Sequence, residues 1–174
     1  LGQQKLQDRA QDLASRTNVL IEQEIMLANV IASDARILDT ARQVSQNGAD
    51  ATTAEIAMLH TRMIEIYKQL GDKYQGIFVA GADGILFTGI LESGKEYKGS
   101  NISKRGYFQD AIKTGKTQLS EIVRSKSTGN LILVTCVPLF ADGGEFVGAF
   151  GMALKADYLT KIINHIKIGQ TGYP

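Results

Sequence analysis

Residues Tyr74–Thr88, YQGIFVAGADGILFT, carry the change of period on which the fold turns. Before them the apolar residues recur at helical spacing; here Gly76–Ala80 and Ile85–Thr88 are short apolar runs on either side of Ala82-Asp83-Gly84. An Asp-Gly pair between two such runs is the strongest short-range hairpin signal, because both central residues of a tight hairpin turn take positive φ. Two antiparallel strands are therefore predicted. Further strands are expected over Gln118–Arg124, Leu131–Leu139 and Glu145–Leu154, the last two joined through Asp142-Gly143-Gly144. Hairpin-length connections between them imply one antiparallel sheet of five strands.

Upstream, Gln4 to about Asn47 holds neither Gly nor Pro and is rich in helix formers, so one helix of about 65 Å is predicted, ending at Gly48. Leu6, Leu13, Leu20 and Leu27 recur every seven residues, with Ala10, Thr17, Glu24 and Ile31 as an imperfect second row. Val19, Met26, Val30, Ile37 and Val44 mark another face. Two apolar faces call for two neighbours, the domain body on one side and a second helix or subunit on the other. The leucine row is expected to be a dimer seam, weakened by Glu24 and Asp34. A second helix follows, opened by the capping-box pattern Thr52-x-x-Glu55 and carried by Ile56, Leu59, Met63, Tyr67 and Leu70 up to Gly71. At the far end Leu159, Ile162, Ile163 and Ile166 predict a closing amphipathic helix over Asp157–Ile168. The fold class is thus α+β: a long N-terminal helix and a second helix packed on a five-stranded antiparallel sheet.

Composition bounds the function. The 174 residues, 44% hydrophobic, suffice for one good core. Lys plus Arg number 19 against 18 for Asp plus Glu, so no net field points to nucleic acid or an anionic membrane. Charge must act locally. The single cysteine, Cys136, lies in an apolar run and reads as a small buried hydrophobe. No apolar run is long enough to cross a bilayer. The chain opens on Leu1 rather than methionine, and a fragment of a longer protein is expected.

The sequence offers no set of catalytic residues. Gly89–Lys95 spells a phosphate-binding loop, but Glu96 stands where Ser or Thr should hold magnesium, and Gly99, Ser100 and Asn101 leave no helix to face an anion. His60 and His165 are isolated from other metal-ligand types, so no metal site is proposed. No Ser-His-Asp set, His/Cys cluster or paired carboxylates suggest an enzyme, and no cofactor is called for.

The stretch Asn101–Gly129, NISKRGYFQDAIKTGKTQLSEIVRSKSTG, reads instead as a binding site. A polar loop sets Arg105 two residues before Tyr107; a short helix follows, Phe108–Thr114, with Phe108, Ala111 and Ile112 at i, i+3, i+4 and Gly115 at its end. A guanidinium beside a phenol suits a small anion, because its planar fork of donors matches a carboxylate. Arg and Tyr in a polar loop are ordinarily solvated; the order in which these two occur gives them weight. Ser103-x-Arg105-x-Tyr107-Phe108, helix, Thr128-Gly129, a long apolar strand ending Val137-Pro138-Leu139, the Asp-Gly turn and Val147-Gly148-Ala149-Phe150-Gly151 together resemble the Cache family of extracytoplasmic sensor domains, PAS-like modules of bacterial and archaeal chemotaxis receptors and sensor histidine kinases.

The resemblance covers about Tyr74 to Tyr173, and the preceding helices fit it. It implies a helical layer over 1–72, a PAS-like sensor module over 73–168 and, from the Gly-x-Thr-Gly-Tyr at 169–173, the start of a second module, as in the membrane-distal half of a double-Cache receptor. It implies a ligand pocket under the loop and short helix, with Arg105, Tyr107 and Phe108 gripping a carboxylate and Ser103 opening the motif. In the amino-acid-binding members a Tyr-x-Asp and a later Asp hold the ammonium group; here these positions fall on Val123, Ser125 and Ala153. The acidic end is missing, so a simple carboxylate is expected over a zwitterion. Arg124 and Lys126 alternate to the other face of the strand, toward solvent unless the turn bends them inward. The expected role is an extracytoplasmic (periplasmic or extracellular) sensing domain of a membrane-anchored receptor, binding a small organic anion and signalling through its long helix as a homodimer. The alternative is the same fold acting as a dimerisation or protein-docking module without a small-molecule ligand.

Overall fold

In the computed structural model, residues 2–161 and Asn164 are described. The elements are α1 (Gly2–Ala32), α2 (Ala35–Asn47), α3 (Thr53–Leu70), β1 (Tyr74–Gly81), β2 (Leu86–Leu91), α4 (Gly106–Thr114), β3 (Gln118–Arg124), β4 (Leu131–Phe140) and β5 (Phe146–Lys155). Residues 156–161 turn back into helix. The rest of the expected closing helix, His165 and the Gly169–Tyr173 segment lie outside the described residues.

The five strands form one sheet in the order β2-β1-β5-β4-β3, antiparallel throughout, so the last strand closes the gap between an N-terminal and a C-terminal hairpin. The predicted Asp-Gly turn joins β1 to β2: Gly84 has φ +82°, the Asp83 carboxylate accepts from the Ile85 N–H at 3.0 Å, and a Cβ on Gly84 would stand 2.7 Å from the Ser103 nitrogen. Glycine there serves both the turn and the close approach of the loop before α4.

Strand alternation divides the core in two. On one face Ile77, Val79, Leu133, Phe150 and Met152 meet Ile37 of α2 and Leu59 and Met63 of α3. On the other, Phe78, Ala80, Val134 and Cys136 lie under Ile102, Tyr107, Phe108 and Ala111. This second face is covered by α4 and the 92–105 loop. Gly151, opposite Phe78 in the register, leaves room for the Phe78 ring, which any side chain at 151 would overlap.

Three helical expectations change. The single helix over Gln4–Asn47 is two, broken at Ser33-Asp34. Asp34 is extended (φ −60°, ψ 121°); its carboxylate accepts from the Arg36 N–H at 3.0 Å, capping α2, and pairs with Arg62 Nε at 3.0 Å. A side chain offering the backbone a cap interrupts a helix without Gly or Pro. The leucine row divides: Leu27 and Ile31 pack on the chain's own core and Glu24 accepts the Tyr74 hydroxyl at 2.6–2.7 Å, while Leu6 stands 66% exposed. The other stripe also faces outward, with Val19, Met26 and Val30 at 49%, 65% and 63% exposure. Its continuation, Ile37, is buried because the break at Asp34 redirects α2. Thr52 does precede α3, but its hydroxyl donates to Gly48 O at 2.7 Å rather than closing a capping box.

Candidate functional site

Arg105 is the residue before the first turn of α4, in extended conformation (φ −71°, ψ 135°). Its N–H donates to Ile102 O at 2.9 Å and its carbonyl accepts from the Phe108 and Gln109 N–H groups, which fixes its backbone and frees its side chain to cross toward β3. There Nη2 donates to Arg124 O at 2.7 Å. Tyr107, in the first turn, points inward and is buried; its hydroxyl donates to no group among the described residues. Burial, with the neighbouring Cys136 and Tyr97, pushes the Tyr107 phenol well above its usual pKa, with Arg105 opposing, so it stays a neutral donor. The buried face of α4 is Tyr107, Phe108 and Ala111, not Phe108, Ala111 and Ile112: Ile112 is exposed because Tyr107 takes the inward position. The left-handed Gly115 ends the helix as expected (φ 69°, ψ 14°).

One cavity brings Arg105, Tyr107, Val123 and Ser125 together, walled by Phe78, Leu86, Tyr97, Ile102 and Ile132 and roofed by Ser100, Arg124, Lys126 and Ser127. Ser103, Phe108 and Ala153 do not line it. Phe108 and Ala153 are core residues behind it, Phe108 edge-on to Phe146 at 5.8 Å. The Ser103 carbonyl accepts from Gln109 Nε2 at 3.3 Å, staying with the loop. Three cations line this cavity and no carboxylate does.

The cavity is nearly closed. Its free volume is about 10 Å³, roughly that of a single water. Besides the Arg105–Arg124 bond, Lys126 Nζ donates to Asn101 O at 2.8 Å and the Ser100 and Ser127 hydroxyls meet at 2.6 Å. These three bonds clasp the loop before α4 to the β3–β4 turn. All lie near the surface, where a hydrogen bond contributes little net stability.

Beside it lies a buried polar network that the residue pattern did not reveal. Gln75 of β1 donates through Nε2 to Ser125 Oγ at 3.1 Å and to the Tyr97 hydroxyl at 3.3 Å, and its Oε1 accepts from Thr128 Oγ1 at 2.5 Å. Ser125 Oγ also accepts from the N–H groups of Ser127 and Thr128 at 3.2 and 3.3 Å, so most of its capacity is used in holding the turn. Tyr97 packs edge-on to Phe78 at 5.2 Å and sits where a side chain on Gly76 would collide. Burial raises its phenol pKa, opposed by its hydrogen bonds with Ser125, Ser127 and Gln75 and by Arg105. The only signal of these contacts in the sequence is Gly76 itself, a small residue in a strand. The phosphate-loop look-alike is β2 and its tight turn, where Glu96 accepts from Thr88 Oγ1 at 3.0 Å.

Known proteins place the fold. The sensory domain of the Campylobacter jejuni chemoreceptor Tlp3 with isoleucine bound superposes with a TM-score of 0.65 at 12% identity, over 90% of this chain and 60% of that one. The sensor domain of the Vibrio cholerae histidine kinase DctB gives 0.67 at 13% identity, over 91% and 57%. Sporulation kinase D of Bacillus subtilis (strain 168) is 27% identical over 92 residues, 53% of this chain and 18% of that protein. The chain thus spans less than two thirds of each of these relatives. The Cache domain family matches residues 2–173, and the chain belongs to that family.

Proposed function

We propose that this chain is the extracytoplasmic ligand-sensing part of a membrane-anchored signalling receptor and that the Arg105 cavity binds a small organic anion, a carboxylate. The observation that carries this reading is the charge of the lining: Arg105, Arg124 and Lys126 with no acid among them. A ligand carboxylate would replace the neutral Arg124 carbonyl on the Arg105 guanidinium, exchanging an ordinary hydrogen bond for a charge-assisted one. The Tyr107 hydroxyl supplies a second donor and Val123 an apolar wall. The ammonium of an amino acid would find only Ser125 and the Gln75 amide, neither charged. Room for the ligand comes from opening the clasp, and the movement of loop and turn relative to the sheet is what a receptor would transmit. Among the described residues no helix is long and apolar enough to cross a membrane.

Calorimetric titration with acetate, propionate, lactate, pyruvate and a short dicarboxylate tests it. At least one should bind, and Arg105→Ala should weaken that binding by about 1.5–3 kcal/mol. An amino acid that binds through Arg105 at least about tenfold tighter than its deaminated acid would overturn the ligand class.

A second reading, self-association through α1, is supported by the exposed Val19, Met26 and Val30 stripe rather than by the leucine row. Sedimentation at rising concentration should then show a weak dimer that Met26→Glu abolishes.

A further inference from the structure

On the opposite face of the sheet, between α1 and the helical residues after β5, lies a second cavity of about 180 Å³, far above the roughly 10–15 Å³ one water needs. Leu133 and Leu154 form its buried floor; Leu20, Leu119 and Leu159 its half-buried sides. Two opposite charges stand at its edge, Glu24 from α1 and Lys73 from the turn before β1, both half-buried. They do not pair with each other. Among the described residues Glu24 accepts only the Tyr74 hydroxyl, which occupies one proton's worth of a carboxylate with about four acceptor sites. The Lys73 ammonium makes no ion pair among the described residues and is held 5.6 Å and 5.7 Å from the centres of the Tyr74 and Tyr158 rings. Burial and the hydrogen bond to Glu24 hold the Tyr74 phenol far above its usual pKa, so it remains a hydrogen-bond donor.

A cation and an anion at the edge of an aliphatic cavity, each with unused capacity, form a recognisable pattern. A purely apolar ligand would leave both charges beside it unpaired, and a singly charged one would satisfy one and be repelled by the other. The geometry points to a second small-molecule site here, separate from the Arg105 cavity, for a zwitterion with an aliphatic tail: an apolar α-amino acid whose ammonium meets Glu24, whose carboxylate meets Lys73 and whose side chain enters the leucines. This inference stands independently of the carboxylate reading of the Arg105 cavity. Its ligand would touch α1, β3, β4, β5 and the chain after β5 together, so occupancy would fix α1 against the exit of the domain.

The probe is L-leucine, with 4-methylpentanoate and 3-methylbutylamine as the analogues lacking one charge each, titrated by calorimetry into the wild-type chain. Leucine should bind at millimolar concentration or below, and each analogue at least about tenfold more weakly. Arg105→Ala should leave leucine binding unchanged, while Lys73→Met and Glu24→Gln should each weaken it at least about tenfold; Glu24→Gln keeps an acceptor for Tyr74 and isolates the charge. Because Lys73→Met also removes a cation from two rings, methyl NMR of the wild-type chain provides the parallel measurement. Leucine should shift the Leu133, Leu154 and Leu119 methyls. Absence of leucine binding, analogues binding as well as leucine, loss of binding on Arg105→Ala with none on Lys73→Met, or shifts confined to the surroundings of Tyr97 and Tyr107 would each overturn the site.

Discussion

The two faces of the sheet are closed by different physics. Over the helical face, Ile37, Leu59, Met63, Phe150 and Met152 are fully buried in side chains from helices, strands and the chain's own middle. A few hydrogen bonds cross that face, among them Tyr74 to Glu24 and Tyr67 to the Tyr74 carbonyl, but its bulk is apolar, and opening it would expose a continuous apolar surface at about 25 cal/mol per Å². Over the α4 face the inner layer is apolar too, but the rim is a clasp of side-chain hydrogen bonds from Arg105, Lys126, Ser100 and Ser127 to groups that water could satisfy equally well. A seam of that kind can exchange its bonds for those of a ligand. The contrast fits a division of labour in which one face makes the domain stable and the other carries the proposed response to ligand.

The largest expected effect tests the stable face. Phe150→Ala should cost about 3–5 kcal/mol in urea unfolding, since the ring is wholly buried between β5 and the helices. Tyr97→Phe, on the other face, should cost about 1 kcal/mol, because it removes one hydroxyl from the Gln75–Ser125 network and keeps the ring on Phe78. Equal losses would erase the contrast between the faces.

Next in size is the ligand contact. Arg105→Ala should weaken carboxylate binding by about 1.5–3 kcal/mol in calorimetry while changing stability by about 1 kcal/mol or less, because its partner in the free chain is an exposed-side carbonyl. A stability loss larger than the affinity loss would make Arg105 a structural residue.

The break between α1 and α2 gives a pH-dependent effect of about 1 kcal/mol. Asp34→Ala removes the cap and the Arg62 pair. Burial alone would raise the Asp34 pKa, but the Arg36 N–H and the Arg62 guanidinium outweigh it and hold it below the ordinary 3.8. A depressed carboxyl contributes stability above its ordinary value and loses it as pH falls through its folded one. The difference between wild type and Asp34→Ala should therefore be constant from neutral pH down to about 5 and shrink only below about pH 4. A difference that grows on acidification would reverse the sign and refute the assignment.

How much of this was legible depended on the range of the interaction. The β1–β2 hairpin, the strands, the Gly115 helix end and the burial of Cys136 follow from alternation and turn residues within a few positions, and they are all present. Arg105, Tyr107, Val123 and Ser125 were singled out by the order of their motifs, and one cavity joins them. The break at Asp34 was hidden because its partner, Arg62, is 28 residues away and no Gly or Pro announces it. Gln75 was missed for the same reason: it meets Ser125 and Thr128 across 50 and 53 residues. Alternation placed Arg124 and Lys126 toward solvent, yet the turn at Gly129 (φ +78°) curls their ends over the cavity. Heptad spacing identified the leucines of α1 but not that Leu27 would pack on its own domain, since a helix can satisfy an apolar face with its own domain as readily as with a second copy.

The smallest expected effect is the sharpest test of the responsive face, because it has opposite signs in two measurements. Ser127→Ala removes the Ser100–Ser127 bond, in which both hydroxyls lie at the surface, so the chain should lose about 0.5 kcal/mol or less in stability. The closed cavity has room for about one water, so under the proposed function a carboxylate would bind only the fraction of molecules whose clasp is open, and apparent affinity would scale with that fraction. Weakening a clasp bond by about 0.5 kcal/mol should raise the open fraction, and with it the affinity, about twofold. A less stable protein that binds its ligand more tightly is the signature of a latch. Lower affinity on Ser127→Ala would show that the hydroxyl belongs to the ligand contact, and the clasp would have to be assigned to Lys126 and Arg105 alone.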